Sequence, residues 1–383
     1  MTPAARVQAA IELIDQIAAG RPAEKVLTTW GRTSRYAGSK DRAAVRDLVF
    51  DALRCWRSAA VLGGGESGRS RMLGVIRQRG EDPETIFSGQ GHAPAELSDA
   101  ERDAGRAPDG DAALDLPDWL AARFRDSLGA ATEATAQALR ARAEVFLRVN
   151  SLRGTVDQAV AQLAQDGITA EPHPLSPTAL RVTEGARAIA RSDAYLSGAV
   201  ELQDAASQAV VDLLPLGSGS SVLDYCAGGG GKALAMAARL GGGRVDAHDA
   251  APRRMADLPA RAQRAGANVR IVSEPRGAYD LVFCDVPCSG SGAWRRAPEG
   301  KWRLTAPQLA DLCVTQAGIL DRAARLVAPG GCLSYATCSV LAEENADQIR
   351  RFLERSPDWR LEVARQFLPS DGGDGFFVAV LRS

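Results

Sequence analysis

The sequence predicts a doubly wound α/β domain in its second half, preceded by a small α+β module and an all-helical N-terminal region. From about residue 198, strand and helix patterns alternate, which is typical of a mainly parallel sheet with helices on both faces. Two of the expected strands end in turns that carry a cysteine, and a third ends in a glycine-rich loop. Because ligands bind at the carboxyl ends of parallel strands, these three turns predict one binding site.

Composition and charge exclude several classes of protein. The 383 residues are 45% hydrophobic and carry a net charge of −1, so no polyanion-binding surface covers the whole molecule. No apolar run is long enough for a membrane span, and charges within the first helical pattern argue against a signal peptide. Seven cysteines without C-x-x-C spacing predict free thiols, no metal site and a reducing, cytoplasmic location.

Residues 1–112 are predicted to form a helical domain. Apolar residues recur at helical spacing from Val45 to Trp56, and Ser39 is the expected N-cap of that helix. Residues 88–111 are expected to form a long surface loop.

Three basic clusters offer sites for a polyanion, with solvated helix faces as the alternative interpretation. They are Arg42, Arg46, Arg54 and Arg57; Arg123 and Arg125; and Arg295, Arg296, Lys301 and Arg303.

Residues 113–197 predict the α+β module, and residues 198–383 predict the larger α/β domain. Within the module we expect helices up to about residue 143 and over 155–166, and strands at 145–149 and 180–182. The expected strands of the larger domain are 221–225, 244–248, 269–272, 280–284, 331–336 and 376–381. The last is expected to be an edge strand or an antiparallel insertion.

The segment from Asp224 to Lys232 predicts a nucleoside-binding loop. Its glycines follow a strand and open a helix, so the backbone can approach a ligand closely. The spacing is not that of a Walker loop, and Ala233 lacks the hydroxyl that Mg²⁺ would need. Asp249, at the end of the next expected strand, is placed to accept hydrogen bonds from a ribose. Without a G-x-G-x-x-G pattern, S-adenosylmethionine is favoured over NAD as the cofactor.

Two of the seven thiols differ from the others. Cys55, Cys284, Cys313 and Cys332 lie in apolar patterns and are expected to be small core residues. Cys288 and Cys338 instead lie in turns after strands, among glycine and serine neighbours, and could react once ionised.

These turns carry a resemblance to a known family. The segments D-V-P-C-S-G-S-G (285–292), Y-A-T-C-S (335–339) and E-E-N (343–345) resemble the motifs of the RsmB–Sun family of RNA (cytosine-5)-methyltransferases. Further matching segments are R-V-N-S-L (148–152), Q-D-A-A-S (203–207) and D-G-F-F (374–377). The first hundred or so residues resemble, more weakly, the NusB-like RNA-binding domain of bacterial members, and the module resembles their small, RRM-like RNA-contacting unit.

The glycine loop departs from the family pattern D-x-C-A-A-P-G-G-K-T. Gly228 and Gly229 replace Ala-Pro, which predicts a less preorganised loop and puts cofactor affinity in doubt. The acid expected after the third strand has one nearby candidate, Glu274.

The resemblance implies a Rossmann-like, S-adenosyl-L-methionine-dependent methyltransferase domain and assigns roles to residues. Cys338 would be the nucleophile, Cys288 would assist elimination, and Asp285 would contact the base, with Lys232 also in the catalytic group. The expected cofactor contacts are Cys226, Ala227, Gly228, Gly229, Gly230, Gly231, Lys232, Asp249, Arg254, Glu274 and Asp285.

The resemblance also implies the partner, with alternatives left open. The expected substrate is a structured RNA, 16S ribosomal RNA first and transfer RNA second, and the protein is expected to be a monomer. One alternative is a DNA cytosine methyltransferase in which Cys288 attacks the base. Another is a non-catalytic NusB-like RNA adaptor with a degenerate methyltransferase domain.

Overall fold

A computed structural model describes all 383 residues, which divide into two units. The helical unit comprises Met1–Arg125, Gly129–Arg142 and Trp294–Arg303. The sheet unit comprises Asp126–Leu128, Ala143–Ala293 and Leu304–Ser383. The sequence-based division at residues 112 and 197 differs from these bounds and stays a prediction. No helix combines the length and the apolar character needed to cross a lipid bilayer.

The helical unit contains ten helices from the N-terminal part of the chain and one short helix from Trp294–Arg303, and its main core includes Ile14, Val49 and Met72. The helices are α1 (Pro3–Ala18), α2 (Ala23–Thr33), α3 (Ser39–Arg54), α4 (Trp56–Gly63), α5 (Gly68–Gln78), α6 (Pro83–Ile86), α7 (Asp99–Asp103), α8 (Gly110–Leu114), α9 (Asp118–Leu128) and α10 (Thr132–Arg140). The N-cap of α3 is Gly38, so the prediction of Ser39 is wrong by one residue. The apolar stripe predicted up to Trp56 is divided between α3 and α4 at Cys55.

The segment Trp294–Arg303 comes from the second half of the sequence but packs in the helical unit, where it closes the end of α3. Lys301 donates from Nζ to the carbonyl oxygen of Arg54 at 2.9 Å, and Trp302 donates from Nε1 to that of Leu53 at 2.8 Å. The last carbonyl groups of a helix have no hydrogen-bond donors within the helix. The side chains of Lys301 and Trp302 supply these donors at the end of α3. Arg54 donates in return to the carbonyl of Arg295. Arg54 and Lys301 are both buried, so their prediction as polyanion contacts is wrong.

The module in the sheet unit is a four-stranded antiparallel sheet with the order β2-β3-β1-β4. Its elements are β1 (Val145–Val149), α11 (Val156–Gln165), β2 (Thr169–Pro172), β3 (Ala179–Glu184), α12 (Asp193–Leu196) and β4 (Val200–Leu202). The predictions of β1, α11 and β3 are confirmed. The strands β2 and β4 were not predicted, because each is short and offers few apolar residues to form a pattern.

The larger sheet has seven strands in the order β10-β11-β9-β8-β5-β6-β7. The strands are β5 (Val222–Asp224), β6 (Val245–Ala247), β7 (Val269–Ile271), β8 (Tyr279–Asp285), β9 (Val327–Thr337), β10 (Arg360–Phe367) and β11 (Phe376–Arg382). The helices are α13 (Ala205–Asp212), α14 (Gly231–Arg239), α15 (Leu258–Ala265), α16 (Gly300–Arg303), α17 (Ala306–Ala324) and α18 (Ala346–Arg355), of which α16 belongs to the helical unit. The five strands from β7 to β9 pair in parallel.

Helices cover both faces of this sheet, which confirms the doubly wound prediction. Neighbouring residues of one strand point to opposite faces, so Phe283 of β8 lies in the core shared with α13, α14 and α15. Val282 lies in the opposite core with α17 and α18.

The strand β11 pairs antiparallel with both β9 and β10. The predicted antiparallel insertion is therefore confirmed, and the predicted edge position is wrong. The edge strand on this side of the sheet is β10, whose charged residues are exposed and whose alternation of apolar residues is interrupted at Arg365.

The buried Lys301 makes the stability of the helical unit depend on pH. Burial lowers the pKa of Lys301 to about 8. Between that value and the ordinary lysine pKa, the unfolded chain holds the extra proton, so the free energy of unfolding rises with pH. We expect a gain of up to about 3 kcal/mol across this interval. Urea unfolding followed by tryptophan fluorescence at about pH 8 and about pH 10 measures the gain. The rise in the free energy of unfolding should be absent in Lys301→Met. An equal rise in both proteins would show that the deprotonation of Lys301 does not cause it.

Candidate active site

The three turns that the sequence singled out meet at one edge of the larger sheet. The strands β5, β8 and β9 are neighbours and run parallel, so their carboxyl ends lie side by side. The glycine loop follows β5, and Cys288 lies in the turn after β8. Cys338 follows directly on the last residue of β9.

The structure brings the two turn cysteines into contact. The Sγ atoms of Cys288 and Cys338 lie 3.3 Å apart, and both side chains are partly exposed. The amide of Gly292 donates to the carbonyl of Cys338 at 3.0 Å, so one turn supports the other. A side chain at Gly292 would lie 2.1 Å from the carbonyl oxygen of Gly375, which explains why a glycine is needed there.

The environment of Cys288 favours its protonated form. The hydrogen bond with Cys338, burial, and the negative charges of Cys338 and Glu344 raise the pKa of Cys288 well above its usual value. The buried Cys284 also has a raised pKa, because burial disfavours its thiolate, and it remains a core residue as predicted.

Lys232 and Asp285 form an ion pair beside the thiols. Lys232 donates from Nζ to Oδ2 of Asp285 at 2.7 Å, and the same ammonium lies 5.0 Å from the ring centre of Phe376. Burial acts to lower the pKa of Lys232, but the charge of Asp285 outweighs it, so this pKa lies above its usual value. The pair places a fixed positive and a fixed negative charge at the same strand ends.

A cavity of about 200 Å³ lies between the glycine loop and this ion pair. Its lining includes Cys226, Ala227, Gly228, Gly229, Gly231 and Lys232. Gly230 adopts a φ of +80°, and a side chain there would lie 2.2 Å from the side chain of Leu258. A glycine is therefore required at the point where the loop turns into α14.

Asp249 anchors the loop. Its Oδ2 accepts hydrogen bonds from the amide of Gly228 and from Arg254, both at 2.9 Å. Arg148 donates to the carbonyl of Gly231 at 2.6 Å, and Arg261 donates to that of Gly229. These contacts hold the backbone where the family pattern has Ala-Pro, so the loop is less free than its glycines predicted.

Asp224 is the site residue that the sequence reasoning missed. It is 1% exposed, lines the cavity, and neither of its carboxyl oxygens has a hydrogen-bond partner. Burial and the negative charge of Asp285 raise its pKa to about 8. A buried polar group without partners is rare unless a ligand completes it. In the sequence, the position of Asp224 as the first residue of the glycine motif was the feature that could have identified it as a site residue.

Other residues differ from the prediction in position. Glu274 is exposed and pairs with Arg276, and it does not line the cavity. Gln203 and Ser207 do line it, although the sequence reasoning used them only as part of a motif. All the predicted cofactor contacts except Gly230, Asp249 and Glu274 line the cavity, and Asp249 instead contacts the glycine loop through the amide of Gly228.

A seven-stranded sheet of this topology, with a glycine loop and an acidic strand end beside a cavity, is the scaffold of Rossmann-like methyltransferases. The profile of the family described as 16S rRNA methyltransferase RsmB/F matches residues 211–382. A second profile, the RsmF/B-like ferredoxin-like domain, matches residues 116–188.

Curated relatives carry the name ribosomal RNA small subunit methyltransferase B. The protein from Cronobacter sakazakii is 34% identical over 282 residues, which are 69% of this chain and 66% of that protein. The protein from Serratia proteamaculans is 33% identical over 297 residues, 72% of this chain and 68% of that protein. The match therefore spans about two thirds of the length of these relatives.

Solved structures share the fold. The crystal structure of PH0851 superposes with a TM-score of 0.76 at 24% identity, covering 100% of this chain and 99% of that one. A methyltransferase homologue from Pyrococcus horikoshii gives a TM-score of 0.63 at 24% identity, over 70% of this chain and 96% of its own.

The chain belongs to the RsmB/F family of methyltransferases. Its cofactor is S-adenosyl-L-methionine, and the residues at the cavity fit that molecule. The unpartnered Asp224 carboxyl group suits a cationic amino group, and Asp249 holds the glycine loop through the amide of Gly228. The glycine loop at the start of α14 lets the backbone approach the ligand.

The raised pKa of Asp224 predicts that cofactor binding depends on pH. A cation bound beside Asp224 favours its carboxylate, so binding below about pH 8 releases a proton. We expect the affinity for S-adenosyl-L-methionine to rise from about pH 6 to about pH 7.5, by up to about tenfold per pH unit. Titration calorimetry measures this rise. Asp224→Asn should bind more weakly and lose the dependence, whereas Asp280→Asn, at the opposite end of β8, should retain it. A pH-independent affinity in the unaltered protein would contradict this account.

Proposed function

We propose that this protein transfers a methyl group to carbon 5 of a cytosine in 16S ribosomal RNA through a covalent adduct on Cys338. The observation that carries the proposal is the 3.3 Å separation of two thiols at the strand ends that border the cofactor cavity. The names of the relatives support ribosomal RNA of the small subunit as the substrate.

Methylation at carbon 5 needs a nucleophile and a group that helps its release. Carbon 5 of cytosine is a poor nucleophile until a thiolate adds at carbon 6 and pushes electrons into the ring. S-adenosyl-L-methionine supplies the electrophilic methyl group. The proton at carbon 5 must then leave, and the bond between sulfur and carbon 6 must break. The reaction releases one proton overall.

The site provides residues for the addition of the nucleophile and for its release, while the proton from carbon 5 passes to water. The sulfur of Cys338 forms the bond to carbon 6, and the ammonium of Lys232 interacts electrostatically with this side chain. The protonated thiol of Cys288 donates a hydrogen bond to that sulfur and stabilises it as the leaving group. Asp285, which is paired with Lys232, accepts a hydrogen bond from the amino group of the base.

Substitution of each thiol tests these roles. Cys338→Ala should lower methylation at least about 1,000-fold, because the base is no longer activated. Cys288→Ala should accumulate a covalent protein–RNA adduct that migrates slowly in denaturing gels. Incorporation of a radiolabelled methyl group and gel shifts measure the two effects. Cys313→Ala, a thiol in α17 that does not contact the pair, is the control.

The same experiment separates the alternatives. If Cys288→Ala abolishes the adduct and Cys338→Ala retains it, then Cys288 is the nucleophile, as in DNA cytosine methyltransferases. Methylation of cytosine at the normal rate by Cys338→Ala contradicts the proposal. Bisulfite sequencing of ribosomal and transfer RNA from a deletion strain identifies the target RNA.

The helical unit is proposed to bind the RNA through a basic surface, which we define as the exposed cations of α2, α3 and their connection. Five of them form no ion pair: Lys25, Arg32, Arg35, Lys40 and Arg42. The acids nearby are already paired, Glu24 with Arg46 and Asp41 with Arg6. Tyr36 lies within this surface and is 72% exposed, which suits stacking on an unpaired base.

Neutralising the basic surface should weaken RNA binding and its dependence on salt. Each cation that no longer neutralises a phosphate lowers the slope of log affinity against log salt by about 0.7 to 0.9. We expect the triple variant Lys25→Ala/Arg32→Ala/Arg35→Ala to reduce the slope by about 2 units in fluorescence anisotropy with ribosomal RNA fragments. Arg102→Ala removes an exposed cation that is paired with Glu84 and Asp99, so it should keep the slope. An unchanged slope in the triple variant would exclude this surface.

A further inference from the structure

A single buried carboxylate connects the two thiol turns. Glu344 is 0% exposed and lies in a one-turn helix, Ala342–Glu344, just before α18. Its Oε1 accepts a hydrogen bond from the amide of Ser289 at 2.8 Å, and its Oε2 accepts one from the Ser289 hydroxyl at 2.5 Å. Ser339 donates from its hydroxyl to the same Oε2. Gln316 of α17 donates from Nε2 to Oε1 at 3.0 Å.

Each of these donors belongs to a residue next to Cys288 or Cys338, or to Gln316, which contacts the backbone next to Cys288. Ser289 follows Cys288, and Ser339 follows Cys338. The Nε2 of Gln316 also donates to the carbonyl of Pro287 at 3.0 Å, immediately before Cys288. The two turns therefore share one acceptor group, and their separation depends on it.

The charge of Glu344 has no counterion. Its four donors are neutral groups, and no Lys or Arg pairs with it. Burying an ionised carboxylate is costly, and a neutral glutamine of the same size could form hydrogen bonds with the same partners at a lower cost. Stability alone therefore does not explain a charged residue here, whereas an electrostatic effect on the adjacent thiols does.

We propose that Glu344 is a positioning residue that holds Cys288 and Cys338 in contact, and that its negative charge assigns the proton of the pair to Cys288. This inference rests on the proposed function, because it explains why Cys338 rather than Cys288 becomes the nucleophile.

The groups around the two thiols agree with this assignment. Cys288 faces the negative charge of Glu344 and the phenol of Tyr335, whose hydroxyl donates to the Glu344 carbonyl at 2.5 Å. Cys338 instead interacts with the ammonium of Lys232, which is paired with Asp285. The negative charge of Glu344 contributes to the raised pKa of Cys288, and it also raises that of Cys313 in α17. The negative charge of Glu344 thus acts on Cys288, whereas the ammonium of Lys232 interacts with Cys338.

The charge of Glu344 is tested by the reactivity of Cys288 in a Cys338→Ser background of the full chain. Alkylation of Cys288 by iodoacetamide is followed over pH by mass spectrometry of its peptide. Addition of Glu344→Gln should move the midpoint of this reaction to lower pH by about one unit, since the neighbouring negative charge is removed. A purely structural role would not move the midpoint. Asp347→Asn, an acid of α18 paired with Arg350, is the matched control and should leave it in place.

The positioning role is tested separately by the serines, whose replacement leaves the carboxylate in place. In a protein with both thiols, diamide takes two hydrogens and joins Cys288 to Cys338 in a disulfide. Ser289→Ala and Ser339→Ala should each slow this step several-fold, because each releases one turn from Glu344. Unchanged rates in both variants overturn the positioning role.

The outcomes distinguish this inference from the proposed function. An unchanged midpoint in a folded Glu344→Gln protein that binds S-adenosyl-L-methionine normally overturns the assignment of the proton, while loss of activity in Cys338→Ala would still support the proposed function. If Glu344→Gln does not fold, the serine variants decide the positioning role. Normal methylation by Cys338→Ala overturns both proposals.

Discussion

The parallel pairing of β5, β8 and β9 is the constraint on which the site depends. The register aligns Asp224 with Phe283 and Asp285 with Ala336, so the three strands end within a residue or two of each other. Each following turn then leaves the sheet at the same edge. Residues more than a hundred positions apart in the sequence meet there without any dedicated loop to bring them together.

Three buried or partly buried carboxyl groups at this edge differ in what compensates their charge. Asp285 is paired with Lys232, Glu344 is held by neutral donors, and Asp224 has no partner. The charge of the first is balanced by a cation. The second imposes a field on the adjacent thiols, and the third is incomplete until a cation binds. The three carboxyl groups are chemically alike, and their electrostatic properties differ only because their surroundings differ.

The sequence predicted the parallel core of the sheet well, because buried β-branched runs alternate with helical periodicity there. It also placed Cys288, Cys338 and Asp285 at or just after strand ends and Lys232 in the glycine loop after another strand, which brings them close together once the strands are parallel. The features that the sequence could not predict depend on contacts between residues that are distant in the sequence. Whether Asp224 is satisfied, and whether the basic side chains of Arg54 and Lys301 are exposed, is decided only by tertiary packing. Short or polar strands such as β4 and β10 bury too little apolar surface to leave a pattern.

The ten residues from Trp294 to Arg303 start only a few positions after Cys288, yet they are a structural part of the helical unit. The chain therefore cannot be cut between residues 142 and 143 into two pieces that each keep a complete interior. A fragment lacking the N-terminal helices would leave Lys301 and Trp302 without the carbonyl groups of Arg54 and Leu53 that they contact.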